Sequence, residues 1–213
     1  MQFKLCLKAI LGLLLLSCLH IECHAQSNWK FGVGLGINYS ELKEQVSSTN
    51  SLFLSEDDKS QIGFSTFIRA ENYFSNKWKV STSPAITFIG SNLQDNTDSK
   101  LESVLVSLPL QIHYELFHNF YLGSGPTIDY LLNLTNEANG IRTNITSQSN
   151  NRFLFGLRHS ISYVIKDWVE IGLSYNHIES ELDNLNVTDI DGNLAGEYSA
   201  KFKYFQFSVA VRH

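Results

Sequence analysis

The chain has 213 residues, 43% of them hydrophobic and 17% charged, with a formal net charge of −5. Fourteen Phe, nine Tyr and three Trp are too many for a chain that stays solvated and disordered. The acidic balance excludes a nucleic-acid binder, which needs a basic face to neutralise phosphate.

Residues 1–25 read as a signal peptide. Lys4 and Lys8 form a basic start, Ala9 to Leu19 an apolar stretch, and Ala25 stands before a cleavage point that leaves Gln26 as the mature N-terminus. Leu15-Leu16-Ser17-Cys18 resembles a lipobox, a second processing route that would put lipid on Cys18. All three cysteines (Cys6, Cys18, Cys23) lie in this leader, so residues 26–213 offer no disulfide and no thiolate chemistry. No later apolar run reaches the roughly 20 residues of a transmembrane helix.

Residues 29–39 alternate without a fault. Trp29, Phe31, Val33, Leu35, Ile37 and Tyr39 share one face; Lys30, Gly32, Gly34, Gly36 and Asn38 share the other. Period two over this length predicts a strand and excludes an amphipathic helix. The pattern returns seven times, around Phe64–Phe74, Trp78–Phe88, Val104–Leu116, Phe120–Leu132, Phe153–Ile165, Val169–Tyr175 and Phe205–Val211. Pro84, Pro109 and Pro126 fall inside the third, fourth and fifth strands, where a missing donor predicts bulges or irregularities.

The connections alternate strictly between short and long. Ser75-Asn76-Lys77, Phe117-His118-Asn119 and Lys166-Asp167 are tight; 40–61, 91–102, 133–151 and about 179–200 are long and polar. That asymmetry predicts an all-β, eight-stranded antiparallel up-and-down transmembrane β-barrel over residues 26–213, with periplasmic turns and extracellular loops. The minority face carries Lys30, Arg69, Glu71, Lys79, Glu115, Asp129, Arg158, Glu170 and Arg212 beside glycine, serine, threonine, Gln111 and His113. Placed inside a bore just wide enough for side chains, these charges form an interior ion-pair network, with the strand glycines making room for the long groups. Trp29, Trp78 and Trp168 all begin odd-numbered strands at the turn end, and Tyr39, Phe88 and Tyr130 lie near the loop end. Two aromatic girdles are the expectation.

With these residues in view, the chain resembles the PorT-like outer-membrane β-barrel proteins of Bacteroidota. The resemblance rests on the Ala25-Gln26 junction, Phe31-Gly32-Val33-Gly34-Leu35-Gly36-Ile37-Asn38-Tyr39-Ser40, Ser107-Leu108-Pro109-Leu110-Gln111-Ile112-His113-Tyr114, and Gly123-Ser124-Gly125-Pro126 with Asp129-Tyr130-Leu131-Leu132. It spans the mature chain and implies that Pro109 and Pro126 belong to the pattern. It implies an outer-membrane protein of the cell envelope, with a link to secretion through the family's namesake. The ending Val211-Arg212-His213 departs from the aromatic terminus usual in such barrels.

Catalytic patterns are weak. His159 faces outward while Ser160 and Ser162 face inward, which leaves His159 without a serine on its own face. Glu71 with Glu115 or Asp129 would serve a paired-carboxylate mechanism, but Arg69, Lys79 and Arg158 point to ion pairing instead. Asp189-Ile190-Asp191-Gly192-Asn193 lacks the further ligands of a calcium loop, and Asp191-Gly192 and Asn139-Gly140 read as hairpin turns. The four loops carry 15 acidic and 4 basic residues, and Leu52-Phe53-Leu54 adds a small apolar patch. The expectation is a non-enzymatic envelope scaffold or accessory protein without catalytic residues, metal or cofactor. Its partners are outer-membrane lipid, the barrel-assembly machinery and an envelope protein at the loops, with no nucleic acid. A narrow pore for ions or very small solutes is the alternative, and a lipid-modifying enzyme the second.

Overall fold

Alternating apolar residues form strands here because one side of each can pack outward while the backbone groups find partners on the neighbouring strands. The computed structural model describes residues 29–48, 59–92, 99–138, 140–147, 149, 151–166, 168–181, 184–188 and 194–213. The leader at 1–25, Leu52-Phe53-Leu54 and Asp189–Asn193 lie outside them.

Eleven strand segments appear among the described residues: β1 (Trp29–Ser48), β2 (Lys59–Tyr73), β3 (Trp78–Thr82), β4 (Ala85–Asn92), β5 (Ser99–Phe117), β6 (Phe120–Ala138), β7 (Ile141–Asn144), β8 (Phe153–Ile165), β9 (Val169–Ile178), β10 (Asn184–Thr188) and β11 (Leu194–Arg212). Eight staves make the wall. β3 and β4 are one stave, since both pair with β2 on one side and β5 on the other. β7 and β10 are additions at the loop end, hairpin partners of β6 and β11. The wall closes because β1 pairs with β2 and also with β11, from Gly32↔Arg212 to Ser48↔Gly196.

Closure has a definite stagger. The ring of register partners Trp29–Asn72–Val80–Ile112–Ser124–His159–Tyr175–Phe205 returns to β1 at Tyr39, ten residues beyond its start. A stagger of that size tilts the strands by roughly 35–45° to the barrel axis.

The turns match the short connections. Asn119 (φ 63°) and Lys166 (φ 49°) take left-handed backbone at two of them, and Ser75 and Trp78 exchange backbone hydrogen bonds at the third. The long connections are shorter than expected, because the strands run on into them. β1 reaches Ser48 and β6 reaches Ala138, which pairs with Ile141; Gly140 takes φ 76°, and Asn139 lies outside the described residues. Ladder bonds are made by backbone, so polar segments continue the sheet wherever a partner strand continues beside them.

Of the three prolines, only Pro84 interrupts a strand. Thr82 and Ala85 flank the break, and Pro84 O accepts from Ile68 N at 3.0 Å, so both halves keep one register against β5. At Pro109 and Pro126 no bulge forms: Pro109↔Thr127 and Ile112↔Ser124 share one frame, and Thr82 Oγ1 donates to Pro109 O at 2.8 Å. The irregularities lie elsewhere, at Val104/Leu105, Glu115/Phe117, Val187/Thr188 and between Ser60 and Ser65. Between Ser60 and Ser65, side chains from inside β1 replace ladder bonds. Asn38 Nδ2 donates to Phe88 O (3.2 Å), and Ser40 Oγ meets Gly90 N (2.9 Å) and Gly90 O (2.7 Å).

The two faces separate sharply. Leu35, Ile37, Ile62, Leu110, Phe155, Phe207 and their alternates are exposed on the outside, while Asn38, Arg69, Lys79, Gln111, Asp129 and Gln206 are buried inside.

Candidate functional site

The bore is filled by two layers of different chemistry. At the turn end, Arg69 and Glu71 are successive inward residues of β2, with Lys79 from β3, Glu170 from β9 and Arg212 from β11. Lys79 is wholly buried between Glu71 (3.2 Å) and Glu170 (3.1 Å). Arg212 reaches the same two carboxylates at 3.0 and 3.4 Å, and Arg69 pairs with Glu170 and lies 3.7 Å from Glu71. Tyr73 Oη donates to Glu71 at 3.2 Å and accepts from Arg212 at 2.9 Å. The Lys79 ammonium also lies 4.3 Å from the centre of the Tyr121 ring. Three cations therefore lock two carboxylates, an arrangement suited to rigidity and not to passing protons.

Toward the loop end the interior turns apolar. Leu105, Leu131, Leu154, Ile178 and Phe202 are at most 1% exposed and pack with Ile89, Leu134 and Tyr204 into one cluster. This septum departs from the expectation of an interior polar throughout. Its signal was present: Val104-Leu105-Val106, Tyr130-Leu131-Leu132 and Phe153-Leu154-Phe155 are apolar on both faces, and such runs mark a strand buried on both sides. Between the layers, Gln206 bridges the Arg158 guanidinium (2.8 Å) and Ser65.

The other expected interior charges stand apart. Lys30 is half-buried over the Tyr73 ring at 5.2 Å, and Glu115 accepts the Asn119 amide at 2.8 Å beside the turn. Both sit at the barrel's end, where the strands leave the bore, so neither joins the cluster. Asp129 and Arg158 are buried, but neither makes an ion pair among the described residues; Asp129 accepts from Thr127 at 3.3 Å. Gly32 lies against Arg212, but Gly34 and Gly123 make room for residues other than the expected charges. A Cβ on Gly34 would lie 2.3 Å from the Phe67 ring, and one on Gly123 would lie 2.3 Å from His113 Nδ1.

Trp29, Trp78, Trp168 and Tyr39 are exposed on the outer face, while Phe88 and Tyr130 are partly covered. Trp78 packs on Tyr114 (4.8 Å), Phe88 stacks on Phe64 (4.3 Å) and Tyr130 meets Phe153 (4.9 Å). Each contact joins neighbouring strands.

His159 has a serine on its own face after all. Ser124, its register partner on β6, places Oγ 3.0 Å from His159 Nδ1. The partner comes from the adjacent strand, which inspection of a single strand does not reveal. At the loop end, Arg142 pairs with Glu102 and Glu137 (3.4 Å), His177 with Glu179 (2.9 Å) and Lys201 with Glu181 (3.6 Å). A groove of about 380 Å³ opens there, lined by Ile62, Phe64, Phe88, Val104, Glu102 and Arg142 among others. No group of three side chains able to hold a metal occurs among the described residues.

Comparison with known proteins gives the same architecture. The family model described as the outer membrane protein beta-barrel domain matches residues 11–212. Among solved structures, OprG from Pseudomonas aeruginosa aligns with a TM-score of 0.50 at 10% identity, over 88% of this chain and 97% of its own. Ail, the attachment invasion locus protein of Yersinia pestis, aligns at 0.49 and 14%, over 86% and 98%, and Neisserial surface protein A at 0.47 and 17%, over 85% and 96%. Likeness at such identities concerns the fold alone. No curated protein matches the chain.

Proposed function

This chain belongs to the outer membrane protein beta-barrel domain family, and from that premise we propose that it serves in the outer membrane as a non-enzymatic scaffold or accessory protein whose loop end binds an envelope partner. The observation that carries this reading is the doubly closed bore. An apolar septum around Leu105, Leu131, Leu154 and Phe202 stands above the locked cluster of Arg69, Glu71, Lys79, Glu170 and Arg212, so a solute would have to cross both. A closed bore leaves the surfaces as the working parts, and the loop segments are strongly acidic. The lipid face supports the non-enzymatic half of the reading. His159 is bonded to Ser124, and no carboxylate partner of His159 occurs among the described residues to complete a relay. The pair then has a structural purpose: each polar group satisfies the other on a surface turned to lipid.

The likeness to PorT-like barrels of Bacteroidota supports a place beside secretion within the same proposal, after export through a leader cleaved at Ala25-Gln26. The test is planar-bilayer recording of the refolded protein. The scaffold reading expects no unitary steps. Steps that vanish in Arg69→Ala or Arg158→Ala would establish the narrow pore instead. Release of acyl chains from outer-membrane lipid that disappears in His159→Ala would establish the enzyme.

A further inference from the structure

Between Ser60 and Ser65 the β2–β4 ladder is interrupted, while β2 keeps its register on β1 through Gln61, Ile62, Gly63 and Phe64. Asn38 and Ser40, which point inward from β1, reach Phe88 O and both backbone groups of Gly90 on β4. β1 and β4 thus touch on the inner side, and β2 steps outward over them. Two glycines allow so close a crossing. A Cβ on Gly63 would collide with Phe88 O, and one on Gly90 with Gln61 Oε1.

The step borders the groove of about 380 Å³, which runs from β2 across β4 and β5 to the β6–β7 hairpin. On its membrane side the groove is apolar. Ile62 and Phe64 are exposed on the outer face, Phe88 stacks on Phe64, and Val104 is the register partner of Phe88, so all four face away from the bore. Farther toward the loops it is polar, with Glu102, Asn133, Thr135 and Arg142. Asn133 already donates to Thr135 at 2.9 Å. Gln61 Oε1 is different: it is buried and accepts from no donor among the described residues. Gly90 is the register partner of Glu102, which shares the outer face with Val104, so its missing Cβ points outward, and the Gln61 oxygen beside that point lies on the groove side. Arg142 is shared by Glu102 and Glu137, which leaves one cation against two carboxylates at this rim.

A groove of this volume falls in the range of small-molecule sites. Its apolar end, its acceptor-rich end and its continuity with the lipid-facing wall call for an occupant that is amphipathic in the same sense. We infer that the groove binds one membrane lipid, with an acyl chain along Ile62, Phe64, Phe88 and Val104 and a primary-ammonium head that donates to Gln61 Oε1 and offsets the excess carboxylate of Glu102 and Glu137. A purely anionic head would meet that excess charge unfavourably, and a quaternary ammonium has no N–H to satisfy the Gln61 oxygen. The site is independent of whether the bore conducts or the loops bind a protein partner.

The experiment is mass spectrometry of the intact refolded barrel, released from detergent that holds equal amounts of dipalmitoyl phosphatidylethanolamine and dipalmitoyl phosphatidylcholine. The two lipids share chains and net charge and differ in their N–H donors. One retained lipid per barrel is expected, with phosphatidylethanolamine favoured about tenfold, as one hydrogen bond involving a charged group would give. Gln61→Leu should lower that preference severalfold. Val104→Trp, and independently Thr135→Trp, fill the groove and should abolish retention in barrels that keep their folded electrophoretic mobility. Leu110→Trp, on the lipid face of the same β5 strand but outside the groove, should leave retention intact. Absence of any retained lipid overturns the proposal. So does retention that survives both groove-filling variants, which would be binding anywhere on the wall. Equal retention of the two lipids overturns the assignment of an ammonium head.

Discussion

The two layers of the bore close the same space by opposite means. At the turn end, Lys79 and two arginines surround Glu71 and Glu170, and stability depends on every charge keeping its partners. At the loop end, Leu105, Leu131, Leu154 and Phe202 fill the section by shape, and no atom needs a specific partner. An ionic layer fails abruptly when one member is removed, because the survivors are left buried and uncompensated. An apolar layer fails in proportion to the volume removed.

Breaking the ionic layer should therefore have the largest effect. Glu170→Ala leaves three cations facing one carboxylate and is expected to destabilise the barrel by about 3–5 kcal/mol, read as the urea midpoint of the folded, heat-modifiable band. Leu154→Ala probes the other layer. It should cost about 2–5 kcal/mol, with a value near the lower end if Phe202 and Ile178 relax into the gap. If Leu154→Ala proves the more damaging and Glu170→Ala nearly silent, the contrast between the layers is wrong. The smallest effect belongs outside the bore. Glu102→Gln removes a partner of Arg142 at the solvent-facing rim and should change stability by less than about 1 kcal/mol, which provides the baseline for the other two.

Much of this was legible in the sequence. Faultless alternation at Trp29–Tyr39 announced the lipid-facing side, and the alternation of short and long connections announced an up-and-down barrel. Both are local signals, set by period two and by turn chemistry. The interior was harder to read. Lys30 and Glu115 have the right parity for the bore but lie where β1 begins and β5 ends, beside the turns. Parity gives the face of a residue and not its depth. Leu105 and Leu154 were hidden by apolar neighbours on the other face, although a run apolar on both sides is itself the sign of a filled core. Ser124 could be assigned to His159 only once the register of β6 against β8 was known.

Sequence alone determined which residues pair with lipid, which turn inward, and where the chain reverses, because each follows from neighbours within a few positions. Tertiary structure decided the stagger that brings Trp29 round to Tyr39, and hence the height at which each inward side chain meets the others. It also decided that Pro84 breaks a strand while Pro109 and Pro126 stay within theirs, in unbroken register. Depth and partnership are properties of closure, and a closed barrel fixes them only when its last strand meets its first.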